Sequence, residues 1–297
     1  MRILAISLFL AVLCTSSAEL PTHYAAKKSF HTALQQCAEY LLIPENNLQH
    51  YINSSFPNDP SVQRLIRCSL MLLGCWDDST GVRVHVIENF FQPDPKDCNH
   101  IRRARECVRK NTTDSVFSPA YVTFQCYYQQ FGHLKLYNEQ FIPLRSYELM
   151  QLVETALEIS NLPWFVPTQY VAGDILYEPH FPPVLLFIFL QGGFYGTETG
   201  FDLQRLYTQF GAEPLLTVGV RQCLAEIVKV EKARDHEAIV IKAMQRCLQD
   251  VIPLLPVVAE VAGRWNDGKN KAAKTCARMS GSTVPTLPPF YNRVCED

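Results

Sequence analysis

The sequence predicts an all-α protein made of two tandem helical domains that are stapled by disulfides. Three observations support this prediction. Apolar residues recur with the 3.6-residue period of a helix, ten cysteines follow an N-terminal secretory signal, and a set of helix-breaking residues recurs 119 positions further along the chain. No segment alternates between apolar and polar residues as a half-buried strand does.

The first 18 residues have the pattern of a secretory signal peptide. Arg2 precedes an apolar run over residues 3–13, and small residues at 16–18 suit cleavage by a signal peptidase. This run is shorter than the roughly 20 residues that a bilayer span requires, and the apolar stretch 184–190 is shorter still. We therefore expect a secreted, extracellular protein without membrane insertion.

The composition argues against nucleic-acid binding and against catalysis. The chain has 27 Lys and Arg against 29 Asp and Glu, so no basic excess is present to neutralise phosphates. The sequence contains no G-x-S-x-G elbow, phosphate-binding P-loop or dinucleotide-binding G-x-G-x-x-G. The cysteines are widely spaced and include no C-x2-C pair, so we expect no metal site. We expect a binding protein without a cofactor.

Local signals place the beginnings of several helices. Phe30, Leu34 and Cys37 lie on one face of a first helix. Asp59–Pro60 and Ser118–Pro119 each place a capping side chain before a proline that suits the first helical turn. Two further helices are expected to begin at these dipeptides.

A gapless shift of 119 residues aligns residues 37–91 with residues 156–210. The matched pairs are mostly prolines and glycines, which mark helix ends and turns, so both segments should share one helix layout. The pairs are Glu39/Glu158, Pro44/Pro163, Tyr51/Tyr170, Pro60/Pro179, Gly74/Gly193, Gly81/Gly200 and Phe91/Phe210. We expect a first domain at 19–138, a second at 139–270 and a C-terminal extension at 271–297.

The spacing of Cys37, Cys68, Cys107 and Cys126 resembles that of the insect odorant-binding proteins, which are all-helical secreted carriers with six cysteines. The second and fifth cysteines of that family would stand at Arg64 and Phe117. These two cysteines pair with each other in the family, so their joint loss leaves no unpaired thiol.

Two longer segments, 65–81 and 120–128, are most similar to the two-domain, atypical odorant-binding proteins of mosquitoes. The resemblance covers the first half well, the second half loosely, and the last fifty residues not at all.

The resemblance also implies how the ten cysteines pair. It implies Cys37–Cys68 and Cys107–Cys126 in the first half and Cys223–Cys247 in the second. An added bridge would join Cys75 to Cys98, and Cys276–Cys295 would close the extension. Ala156 and Phe187 occupy the positions of a pair that the second half has lost.

A carrier of this type needs a cavity lined by apolar and aromatic side chains. The candidates in the first domain are Trp76, Phe90, Phe91, Tyr121 and Phe124, and those in the second are Phe187, Phe189, Phe194, Tyr195, Leu206 and Phe210. Aromatic residues at helical spacing also build ordinary cores, so both interpretations stand. His133 and His180 are candidates for acid-dependent release, because histidine titrates between pH 5 and 8.

Three functions are compatible with these features. The first is a secreted carrier of small hydrophobic molecules, such as odorants or other semiochemicals, with a chemosensory receptor as a candidate partner. The second is a scavenger similar to the salivary proteins of blood-feeding flies, which bind host amines or lipid mediators. An amine pocket would need buried carboxylates, for which Asp77, Asp78 and Glu158 are the candidates. The third is a helical interaction module without a ligand.

Overall fold

A computed structural model describes residues 25–110, 118–163, 165–173, 175–231 and 235–265. Helices dominate these residues, so the all-α prediction is confirmed. The predicted signal peptide and the predicted pair Cys276–Cys295 lie outside the described residues.

The helices of the first half begin where the local signals place them. The side chain of Ser29 accepts a hydrogen bond from the backbone of Thr32, and that of Asp59 accepts one from Ser61. Both contacts satisfy free N–H groups at a helix start. The helices are α1 (Phe30–Tyr40), α2 (Glu45–Asn53), α3 (Pro60–Leu72), α4 (Val84–Ile87), α5 (His100–Lys110) and α6 (Ser118–Phe131). A 3-10 turn, Glu88–Phe90, continues α4.

The second half contains a comparable series of helices. They are α7 (Ser146–Ile159), α8 (Val166–Ala172), α9 (Phe181–Gln191), α10 (Leu203–Phe210), α11 (Val218–Val230), α12 (His236–Ala243) and α13 (254–265). The α9 helix ends at Gly192, and Gly193 follows with a positive φ angle. Short 3-10 turns lie at Ile175–Tyr177 and Glu213–Leu216, and a π turn at Met244–Leu248 extends α12.

Short antiparallel strand pairs, which the sequence did not predict, join several helices. Each strand has two residues, too few to show an alternating pattern. The strands are β1 (Lys27–Lys28), β2 (Trp76–Asp77), β3 (Gly81–Val82), β4 (Phe91–Gln92), β5 (His133–Leu134), β6 (Gln140–Phe141), β7 (Tyr195–Gly196) and β8 (Gly200–Phe201). The pairs are β1–β6, β2–β3, β4–β5 and β7–β8.

The 119-residue offset holds in the structure. The hairpin β2–β3 is followed by α4, and the hairpin β7–β8 is followed by α10, each element beginning 119 residues after its counterpart. The glycines at the turns also correspond in conformation. Gly74 and Gly193 have φ angles of 68° and 72°, and Gly81 and Gly200 have φ angles of 81° and 74°. Positive φ explains why the same positions hold glycine in both halves.

The buried apolar residues form two clusters. One contains residues between Phe30 and Leu134, and the other contains residues between Phe141 and Ala262. Each half therefore packs its helices around a core of its own.

Three disulfides lie in the described residues. Cys37–Cys68 ties α1 to α3, Cys107–Cys126 ties α5 to α6, and Cys223–Cys247 ties α11 to the π turn. Their Cα–Cα distances of 5.9, 5.6 and 6.0 Å are ordinary for disulfides. These are the pairs that the resemblance implied.

The expected bridge between Cys75 and Cys98 is wrong for this structure, because both thiols are free. Cys75 is fully buried in the first core, whereas Cys98 is exposed in the segment before α5. Burial raises the pKa of the Cys75 thiol far above its usual value. Cys75 therefore acts as a small apolar core residue, and the even cysteine count did not predict its unpaired state.

Candidate ligand-binding site

The first half contains a cluster of aromatic rings built around Phe124 of α6. The Phe124 ring stacks on the Phe30 ring, with 5.4 Å between the ring centroids, and it meets the Phe56 ring edge-on, with 5.1 Å between the centroids. The Phe91 ring centroid lies 6.2 Å from that of Phe124. Phe90 contacts Phe30, with 5.9 Å between their ring centroids. Four elements that are far apart in sequence thus bring their rings together, with favourable offset or edge-to-face geometry.

The α6 helix supplies most of the rings along the face that it buries. Phe124, Tyr127 and Phe131 are spaced at helical intervals and are at most 3% exposed. Tyr127 contacts Phe91 and Phe131 at 6.2 and 5.0 Å. Of the predicted pocket residues of this half, Phe90, Phe91, Tyr121 and Phe124 are therefore together in one buried region.

Phe56 belongs to this cluster although the sequence analysis did not identify it. Its φ angle is 57°, a left-handed conformation that is unusual for an aromatic residue. Its carbonyl accepts hydrogen bonds from Tyr121 Oη at 2.8 Å and from Gln125 Nε2 at 2.7 Å. The two polar groups of α6 thus hold the loop that places the Phe56 ring against Phe124. The dipeptide Phe56–Pro57 gave no signal of this long-range contact.

Glu88 is a half-buried acidic residue beside the aromatic cluster. Its Oε1 atom is buried and has no hydrogen-bond partner among the described residues. Burial raises the pKa of the Glu88 carboxyl, while nearby Arg105 and His100 oppose that shift. Burial, with the Glu88 charge as a second cause, raises the pKa of Tyr127 well above its usual value. A hydrogen-bonding group with an unused acceptor therefore lies next to the rings.

Trp76 lies at the edge of the first core and apart from these rings. Its indole Nε1 donates to Asp78 Oδ1 at 2.9 Å, and Arg67 also pairs with Asp78. Asp77 caps the turn between β2 and β3 through Ser79, and these hydrogen bonds lower the pKa of the Asp77 carboxyl to about 2. Glu158 is exposed on α7. The carboxylates expected for an amine pocket are thus surface groups.

The second half has a corresponding set of rings that is equally closed. Phe194 lies 6.1 Å from Phe189 and 5.9 Å from Phe210. Leu206 is fully buried in the same core, and Phe187 is partly buried against it. The Tyr195 hydroxyl is 2.8 Å from His236 Nδ1. All six candidates of this half therefore contribute to its core.

Two open clefts lie elsewhere on the described surface. One, of about 390 Å³, runs along α5 and is lined by Cys98, Ile101, Arg102, Arg105, Glu106 and Arg109. The other, of about 510 Å³, is lined by Phe165, Gln169, Ala172, Tyr177, Glu178, Pro179 and His180. Neither cleft is lined by the predicted pocket residues.

The two candidate acid-sensing histidines differ in environment. His180 borders the larger cleft, and its Nδ1 lies 2.8 Å from Glu178, whose side chain is only 7% exposed. His133 is exposed in β5. Within the described ranges, no group of three His, Cys, Asp or Glu side chains is arranged to hold a metal ion. No helix in those ranges combines the length and apolarity that a bilayer span needs.

Comparison with known proteins gives two matches. Residues 21–130 match the profile of the PBP/GOBP family. The crystal structure of Anopheles gambiae odorant-binding protein 22a is 26% identical, with 33% of this chain and 96% of that chain covered and a TM-score of 0.28. No curated protein matches the sequence. Residues 21–130, less than half of the chain, are thus similar to the PBP/GOBP family, and this similarity supports a carrier of small ligands in general.

Proposed function

We propose that the chain is a secreted carrier of small hydrophobic molecules, such as odorants or other semiochemicals, and that the rings around Phe124 form its binding site. The observation that carries this proposal is the ring cluster itself. It lies within the segment that matches the family, and an unused buried acceptor on Glu88 adjoins it. An apolar site with few polar groups is the usual form of a small-molecule site.

The rings of the cluster contact one another and are almost inaccessible to solvent, so a ligand would reach them by displacing a side chain. Phe56 is the side chain best placed to move, because it is held by a loop rather than by a helix. Hydrogen bonds fix this loop to α6: Tyr121 donates to the carbonyl of Phe56, and Gln125 donates to the carbonyls of Phe56 and Ser55. Loops of this kind open at lower free energy than helices. We assign the entry route to the displacement of Phe56.

The expected affinity follows from the apolar area of the ligand. A chain of eight to ten methylenes would contribute about 6 to 8 kcal/mol when buried, before the cost of association. The result is reversible binding in the micromolar range. A Glu88 carboxyl whose pKa is raised can also donate a hydrogen bond to an alcohol or carbonyl when protonated.

The carboxylates that the sequence suggested for an amine pocket do not support an amine ligand. The carboxylates considered for an amine pocket, Asp77, Asp78 and Glu158, are surface groups that do not face the rings. The two-domain division and export by the signal at residues 1–18 belong to the same proposal. A chemosensory receptor would be the partner that receives the ligand.

Displacement of N-phenyl-1-naphthylamine, a fluorescent hydrophobic probe, tests this proposal. We expect saturable binding by the oxidised full-length protein and displacement by aliphatic alcohols and fatty acids, but not by biogenic amines. Displacement by amines alone would favour the scavenger, and the absence of saturable binding would leave an interaction module without a ligand.

A pair of matched variants locates the site. Phe124→Leu alters the first ring cluster, and Phe189→Leu makes the same change at a fully buried position in the second core. The dissociation constant of the probe should change with Phe124→Leu and stay the same with Phe189→Leu. The reverse result would move the site to the second half.

A further inference from the structure

The two halves of the chain touch each other at equivalent residues. Asn89 Nδ2 donates to Thr208 Oγ1 at 2.9 Å, and these residues are 119 positions apart, which is the offset of the repeat. Contact between equivalent positions is the mark of a two-fold interface, in which the same patch of two related units meets itself. A local pseudo-two-fold relation between the 84–90 segment and α10 would place Asn89 and Thr208 opposite each other in this way.

Neighbouring residues extend this contact between the two segments. Gln204 Nε2 donates to Asn89 Oδ1 at 3.1 Å, and the rings of His85 and Tyr207 meet edge-on at 5.8 Å. Gly211 ends α10 with a φ angle of 68°. A Cβ atom at Gly211 would lie 2.8 Å from the His85 ring, so the glycine allows the histidine to fit closely. The two segments are thus complementary in shape, at His85 and Gly211, and are also joined by hydrogen bonds.

A second, reciprocal contact lies where each half begins. Gly74 of the first half faces the ring of Pro143, which precedes α7, and Gly193 of the second half faces Ala25, which precedes α1. Gly74 and Gly193 are again 119 residues apart. A Cβ atom would lie 3.0 Å from Pro143 in the first case and 2.8 Å from Ala25 in the second. Each half therefore seats a turn on the leading segment of the other half.

The leading segments also exchange between the two cores. Ala25 packs against the second core, although it begins the first half, and Ile142 packs against the first core. The strands β1 and β6 run antiparallel between them, with Lys27 opposite Phe141. A residue in the leading segment of each half thus packs against the core of the other half, as exchanged segments do in domain-swapped homodimers.

We propose that the chain is an internal dimer, in which residues 84–90 form a docking surface for a second odorant-binding domain and residues 203–211 are its built-in partner. Within the described residues the association is noncovalent apart from the linker, because the three disulfides there each join cysteines of one half. Both patches are occupied, so neither is available for a separate copy of the chain.

Cleavage of the linker in the folded full-length protein tests this proposal. A protease site replaces residues 137–139, where Tyr137 is 68% exposed and lies outside both contacts. After cleavage, we expect the two pieces to elute together at the mass of the intact chain. The same sample in denaturant without reductant should give two separate pieces. Pieces that separate under native conditions would overturn the proposal.

A substitution at this contact tests whether this surface holds the pieces. Thr208 is 1% exposed, and Thr208→Arg should separate the cleaved pieces. Thr199→Arg, in the exposed turn between β7 and β8, is the matched control and should leave them together. Cleaved pieces that stay associated in Thr208→Arg would place the interface elsewhere and contradict the proposal.

A milder variant decides the question if Thr208→Arg does not fold. Asn89→Ala removes the side chain that bonds both Thr208 and Gln204. It should weaken the association of the cleaved pieces about tenfold, as expected for the loss of interfacial hydrogen bonds. An unchanged dissociation constant in Asn89→Ala would contradict the proposal.

Discussion

Cys37 and Cys68 join α1 to α3 through a disulfide, whereas the equivalent residues of the second half, Ala156 and Phe187, bring α7 and α9 together without one. Ala156 is fully buried and Phe187 is partly buried against the same core. The second half thus keeps these two positions in one apolar core, whereas the first half joins the equivalent positions by a covalent bond. The disulfide of the first half therefore has a contribution to stability that can be measured.

Removal of the first bridge should destabilise the protein strongly. The double variant Cys37→Ala/Cys68→Ala frees a loop with a sequence separation of 31 residues. The chain-entropy model gives a loss of about 3 to 4 kcal/mol in the free energy of unfolding. Urea denaturation followed by circular dichroism measures this loss.

The control for this variant is Cys98→Ser, which changes an exposed free thiol. It should alter the free energy of unfolding by less than about 0.5 kcal/mol. Equal losses in both variants would show that Cys98 has a structural partner and that Cys37–Cys68 has no special role.

Local sequence signals were sufficient for much of the fold. Asp59 and Ser29 cap helices through contacts within three residues, so their effect is visible in a short window. The offset between Gly74 and Gly193 predicted matching turns because positive φ is a local requirement. Family spacing supplied the pairs Cys37–Cys68 and Cys107–Cys126.

Features that depend on distant packing were not predictable in the same way. The free state of Cys75 follows from its place in the core, and cysteine counting cannot show that place. The ring of Phe56 reaches Phe124 only because a left-handed backbone turns it inward. The contact of Asn89 with Thr208 requires the relative placement of two halves, which no local pattern specifies.

Glu88 should make the stability fall as the pH rises. Its pKa is raised by burial, so the folded protein holds this proton more tightly than the unfolded chain does. Stability from this group is complete below the pKa of the unfolded chain and is lost as the pH rises through the folded pKa. We therefore expect Glu88→Gln to be more stable than the native protein at pH 7.

The dependence of this difference on pH is the decisive measurement. Urea denaturation of both proteins between pH 4 and pH 8 should show a stability gain in Glu88→Gln that shrinks on acidification. Glu106→Gln, on the more exposed face of α5, is the control and should show little change. A gain that grows on acidification would contradict the raised pKa.

His85 should act in the opposite sense at the contact between the halves. Burial and the Arg83 charge lower its pKa, so the unfolded chain binds this proton more tightly. Stability from His85 is present above the pKa of the unfolded chain and is lost as the pH falls toward the folded pKa. Tyr207 packs on the ring and Glu88 lies one turn away on the same segment.

The substitution His85→Gln separates these two effects. It should remove the part of the acid-dependent loss of stability that falls below pH 6.5, while the contribution of Glu88 remains. His133→Gln, at an exposed position outside the contact between the halves, is the control substitution. An identical profile in the native protein and His85→Gln would refute the role of His85.

Gly211 and Gly200 allow the fit of His85 to be measured directly. Both have positive φ angles, 68° and 74°, so an alanine at either position is strained by about 1 to 2 kcal/mol. A Cβ atom at Gly200 would meet nothing within 4 Å, whereas one at Gly211 would lie 2.8 Å from the His85 ring. Gly211→Ala should therefore lose more stability than Gly200→Ala, because it also displaces the histidine.

In a His85→Ala background the excess loss of stability should disappear. Urea denaturation of both alanine variants, each with and without His85→Ala, measures this excess. An excess that persists without the histidine would mean that the cost arises within α10 and not at the contact between the halves.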